Sequence, residues 1–182
     1  MQIHRALILT AIFAIYGCAS IPLSTALRLS SLSPNALAQI DPAQVRVKVS
    51  VPLGYEINVH TTRLTLALTG PSGSRSAVMS LAVLGVANGE RSRGLFRSSV
   101  HVSTYMLVLD PEGVQKLREL EHFALSGNAK SFEFSLQAFI AKMPFGAQEV
   151  TLWAALRLHA DTPFISLIDG ATLKFGSTKS GS

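Results

Sequence analysis

One cysteine, one tryptophan and little charge set the limits on this chain of 182 residues. A lone sulfur has no partner within the chain, so a disulfide scaffold is excluded. Charged residues make up 15% of the sequence against 48% hydrophobic ones, which excludes a disordered chain and leaves enough apolar material for a core. The length is that of a single domain. The basic excess is thin, with 16 Lys and Arg against 11 Asp and Glu. Its one local group, Arg91, Arg93 and Arg97 around Gly94, lies among glycine and serines and reads as a solvated loop. Nucleic-acid binding would need a denser basic face with aromatics interleaved, so no nucleic-acid partner is expected.

Catalytic and metal-binding signatures are also missing. His60, His101, His122 and His159 are far apart and without HExxH or HxH spacing, so no metal site is expected. Gly70-Pro71-Ser72-Gly73-Ser74 has the wrong glycine placement for a nucleophile elbow and belongs to a turn between strands. Phosphate-cradling glycine loops are absent, and Glu119 and Glu121 sit on different faces of one helix, so no carboxylate pair forms. No catalytic residue and no cofactor are expected, and the chain reads as a non-enzyme.

The N-terminus carries the strongest signal. Met1 to Arg5 is short and basic, Ala6 to Tyr16 is uncharged and apolar, and Gly17-Cys18-Ala19-Ser20 follows, the tripartite pattern of an export signal. Ile15-Tyr16-Gly17-Cys18 resembles the lipobox of bacterial lipoproteins: an aliphatic residue three places before the cysteine, a small residue just before it, then the thiol. The resemblance implies cleavage between Gly17 and Cys18, diacylglycerol on the Cys18 sulfur, and acylation of the new amino group by a fatty acid such as palmitate. Several acyl chains hold stably where one does not, at about 0.8 kcal/mol per buried CH₂. Ala19 after the cysteine, by resemblance to enterobacterial sorting, implies the periplasmic side of the outer membrane, with the inner membrane or secretion as alternatives. The same residues also allow an uncleaved span from Ala6 to Leu27, an ordinary signal peptide cut after Ala36-Leu37-Ala38, or a structural cysteine.

Residues 1–17 therefore read as the signal peptide, 18–43 as a Pro- and Ser-rich tether, 44–176 as one β-rich domain and 177–182 as a flexible tail. Within the tether, Leu23 to Leu32 has the makings of a short helix. Period-2 alternation starts at Val45, Val47, Val49 and Val51. It continues over Tyr55 to Leu68, hairpins through Gly70–Ser74 into Ala77 to Val86, and resumes at Ser99 to Leu109. Asp110-Pro111-Glu112 is a helix start, and Val114, Leu117, Leu120, Glu121 and Ala124 form a stripe to about Leu125, with Gly127 as the stop. Ser131 to Ala141 alternates again, Met143-Pro144-Phe145-Gly146 turns the chain, and Val150, Leu152, Ala154, Leu156 and Leu158 share a face. Asp169-Gly170 predicts a type I′ hairpin that pairs Ile168 with Ala171 and Phe164 with Phe175.

Roughly seven or eight strands with one helix near 111–125 give a mainly β fold, an antiparallel β-sandwich or a compact α+β sheet. If the even-numbered residues of 150–158 face the core, Trp153 and Arg157 face outward as a partner surface; a covering layer would bury Trp153 instead. The expected function is a non-catalytic binding or assembly-accessory module attached to the envelope membrane through its lipid anchor. The alternative is a secreted or anchored periplasmic enzyme with no motif to show for it.

Overall fold

A computed structural model describes residues 21–23, 39–71, 73–92 and 98–175. Gly17, Cys18, most of the expected tether, Arg93, Arg97 and the tail lie outside those residues. The elements in chain order are β1 (Ile21–Leu23), a 3-10 turn (Pro42–Gln44), β2 (Arg46–Pro52), β3 (Glu56–Ile57), a second 3-10 turn (Val59–Thr61), β4 (Arg63–Gly70) and β5 (Gly73–Arg91). They continue with β6 (Val100–Leu109), α1 (Pro111–Phe123), a π-helical turn (Ala124–Asn128), β7 (Ser131–Ala138), β8 (Ile140–Lys142), β9 (Glu149–Arg157) and β10 (Ile165–Lys174). The fold is mainly β, with α1 as the one α-helix among the described residues.

Eight strands form one antiparallel sheet in the order β1-β7-β4-β5-β6-β2-β9-β10, and β3 and β8 pair separately as a short ribbon. The sheet curls because β5 serves two partners in succession. Gly73 to Ser80 pairs with β4, and Leu81 to Arg91 pairs with β6. A bulge at Leu84, three residues into the span paired with β6, shifts the register and bends the strand. The two halves thereby turn their apolar faces toward each other. Leu64, Leu66, Leu68, Phe134 and Leu136 from one half meet Val47, Val49, Leu107, Leu152 and Leu156 from the other in a single core. Each of these side chains contributes about 1.5–3 kcal/mol by leaving water. The alternating residues named from the sequence are those that the sheet buries.

α1 closes the curl. The Asp110 carboxylate accepts from the Gly113 N–H at 2.7 Å, Pro111 fills the first helical position, and Glu112 pairs with Lys116 at 2.6 Å. Gly113, Leu117 and Leu120 are buried on the sheet side. Gly113 comes so close to β5 that a Cβ there would stand 2.7 Å from the Ser80 carbonyl oxygen. The α-helical bonding ends at Phe123, before the expected Leu125, and the chain passes Gly127 in a wider π turn.

Two sequence expectations are corrected. Asp169-Gly170 is not a hairpin turn: β10 runs unbroken from Ile165 to Lys174 beside β9, with Asp169 opposite Trp153 and Ala171 opposite Leu152. Gly170, at φ +73°, is the extra residue of a bulge, so its left-handed conformation bends a strand rather than reversing it. The stretch from Tyr55 to Leu68 is likewise not one strand, because the 3-10 turn Val59–Thr61 interrupts it and the Thr62 hydroxyl donates back to the Asn58 carbonyl at 2.8 Å. The strands on either side of the Met143–Gly146 turn do not pair. β7 lies against β4 and β1, and β9 against β2 and β10, in opposite halves of the sheet. Part of the expected tether is structured: Ile21–Leu23 pairs with β7, and Ile40 and Pro42 are buried.

Candidate binding surface

The outer face of the β5–β6–β2–β9–β10 half is built in transverse rows, because paired residues in an antiparallel sheet point the same way. One row runs Ala87, Thr104, Ser50, Trp153, Asp169, and the next runs Gly85, Met106, Lys48, Ala155, Ser166. The first row is bulky at its β9 end, where Trp153 stands, and both rows are small at the β5 end. Gly85, Ala87 and Gly89 alternate along β5 on this face, and a Cβ on either glycine would meet nothing within 4 Å. The missing side chains leave a groove of about 550 Å³ over β5 and β6, bounded by Lys48, Leu84, Arg91, Val102 and Met106.

Apolar exposure is concentrated on the same strand. Val78, Val83, Leu84 and Val86 are all about half exposed, at 48%, 49%, 60% and 53%. At the bulky end, Lys48 Nζ lies 3.8 Å and the Arg157 guanidinium 4.9 Å from the centre of the Phe164 ring, so one aromatic ring holds two cations. Arg157 Nε is buried without a hydrogen-bond partner. Lys48 and Arg91 line both the groove and a smaller recess beside Trp153, Ser50 and Asp169. The Ser50 and Thr104 hydroxyls share a hydrogen bond of 2.7 Å that satisfies the nearly buried centre of the face.

The structure brings Trp153 and Arg157 to this face but does not expose the indole. Trp153 is only 4% exposed, so it is no contact surface in its own right. Among the described residues neither the helix nor a second sheet packs on β9 over it. The Asp169–Gly170 bulge folds over it, and a Cβ on Gly170 would stand 3.4 Å from its Nε1. Sequence reading missed the groove itself, whose signal was the small, period-2 pattern Gly85, Ala87, Gly89 alternating with Leu84, Val86 and Asn88.

Elsewhere the titratable groups are dispersed. Among the described residues no three of His, Cys, Asp and Glu gather as a metal site. His101 Nδ1 lies 3.5 Å from Glu90 Oε1, and the Ser99 hydroxyl donates to Glu90 Oε2 at 3.3 Å, an exposed cluster at the end of the β5–β6 hairpin. His60 and His122 are exposed. Glu121, at the edge of α1, is unusual: burial pushes its carboxyl up to about 7, Arg118 pulls it down, Asp41 adds to the rise, and Oε1 is buried without a partner. No known protein family, curated protein or solved structure matches this chain.

Proposed function

We propose that this protein is a lipid-anchored envelope module that binds rather than transforms its partner, held through Cys18 on the periplasmic side of the outer membrane. The observation that carries the binding role is the open groove of about 550 Å³ over β5 and β6, flanked by exposed Leu84 and Val86. Its volume is within the range of ligand and peptide sites, and concentrated apolar exposure on one strand is what association surfaces present. Lys48 and Arg91 supply orientation at one side of it. The anchor rests on the lipobox resemblance of Ile15-Tyr16-Gly17-Cys18. A tethered module of this kind needs no cofactor.

Two variants test the two halves of the reading. Cys18→Ala abolishes acyl labelling and membrane retention if the anchor is a lipid; unchanged labelling or retention refutes it. Gly89→Trp fills the groove from a position where a Cβ meets nothing within 4 Å, so the backbone of β5 accepts the substitution. Cross-linking in the native envelope should then yield a partner with the natural chain and lose it with Gly89→Trp. A partner retained by the filled groove places binding elsewhere and overturns the site.

A further inference from the structure

We propose that the edge of β5 from Leu84 to Arg91 receives an extended, apolar and acidic segment of a partner protein as an added strand. The inference rests on the binding-module reading and names the chemistry of its partner. β5 pairs with β4 only as far as Ser80. From Leu81 to Arg91 it has β6 on one side and, among the described residues, no strand on the other. An unpaired edge presents a row of backbone donors and acceptors that only another peptide can continue as a ladder.

Natural edges of this kind are guarded by lysine or proline, and this one is not. Between Met79 and Gly89 the sequence has no charged residue and no proline. Leu84 and Val86 stand 60% and 53% exposed, where the side chains of an added strand would pack on them. On the outer face, the bare backbone at Gly85 and Gly89 leaves room for the next row of side chains. About eight residues of edge span roughly 26 Å, the length of a typical added strand.

Charge selects the occupant. Arg91 stands exposed at the end of β5, whereas the neighbouring acid, Glu90, already meets His101 at 3.5 Å and the Ser99 hydroxyl at 3.3 Å. The side chain that meets Arg91 at the end of the added strand is therefore a carboxylate. A bilayer offers acidic head groups and apolar chains but no backbone to extend the sheet, and a second copy of this chain would bring its own cations to the same face.

The test titrates the full acylated chain in detergent micelles with an octapeptide of alternating valine and threonine ending in two aspartates. Trp153, the only tryptophan, reports from the recess that Lys48 and Arg91 share with the groove. Saturable binding is expected, weakened roughly tenfold or more by lysine in place of aspartate and by N-methylation of alternate backbone nitrogens. Arg91→Glu should reverse the preference and favour the lysine peptide. Binding indifferent to N-methylation overturns strand addition, as does binding of phosphatidylglycerol vesicles with no response to peptide. Concentration-dependent dimerisation in sedimentation that the peptide does not displace overturns it in favour of a second copy. If no peptide binds while Gly89→Trp still abolishes the envelope cross-link, strand addition falls and the binding-module reading stands; if the cross-link is also absent, both fall.

Discussion

Replacing Gly113 by alanine separates what a helix prefers from what this fold allows. In an exposed helix the change gains up to about 1 kcal/mol. Here the new methyl would stand 2.7 Å from the Ser80 carbonyl oxygen, 3.3 Å from Asp110 Oδ1 and 3.4 Å from Met79 Cβ. The nearest atom cannot rotate away, because it is backbone of β5 and accepts the Asp110 N–H at 3.2 Å. Relief requires α1 to lift by some tenths of an ångström, and that loosens Leu117 and Leu120 in the core. Overpacking of this kind costs about 1–3 kcal/mol, so a net loss of about 1–2 kcal/mol is expected. Urea unfolding followed by Trp153 emission reads it directly. With a slope near 2 kcal/mol per molar, the midpoint falls by about 0.5–1 M and the slope is unchanged. Gly85→Ala, where the methyl meets nothing within 4 Å, should move the midpoint little. A midpoint for Gly113→Ala equal to or above the natural one would refute the seating of α1 on β5.

Further outcomes follow from other sites. Glu121 has its carboxyl raised from 4.5 to about 7 by burial, so the folded state holds its proton more tightly than the unfolded one and stability falls as pH rises from about 4.5 to 7. Because the side chain is partly exposed, solvent screening reduces the effect to about 1 kcal/mol. Glu121→Gln should flatten that slope and raise stability at pH 8; an unchanged curve in denaturant titrations across pH would assign the slope to another group. Gly170→Ala places a side chain at φ +73° and 3.4 Å from Trp153 Nε1, so it should cost about 1 kcal/mol and shift the indole emission. Emission from Trp153 in the natural chain should lie to the blue and resist iodide, consistent with 4% exposure, and ready quenching would contradict that burial.

The strands were legible wherever one face is buried and the other wet. Val47 and Val49 against Arg46 and Lys48 announce both the strand and its inward side, and the sheet buries the valines and leaves the two cations part exposed. The helix start at Asp110-Pro111-Glu112 was equally plain, because a cap is a local interaction. Asp169-Gly170 was misread since positive φ at glycine serves a bulge as well as a turn, and only the pairing of both flanks with β9 decides which. The placement of β7 and β9 in opposite halves was invisible for a similar reason: nothing near Met143–Gly146 records which strands their edges will meet. At the candidate site, Arg157 was found but its role beside Phe164 was not, and the burial of Trp153 depends on a bulge that brings Gly170 over it. The groove is made of side chains that are absent, and scanning for chemical groups passes over glycine and alanine.

The most direct measurement places a photo-activatable cross-linking residue at Ala87 on the groove floor and, separately, at Glu119 on the exposed side of α1, each in the full chain in its native envelope. A partner held by β5 predicts a discrete adduct from position 87 that disappears in Gly89→Trp, and none from position 119. Equal adducts from both positions, or an adduct at 87 that survives the filled groove, would contradict it.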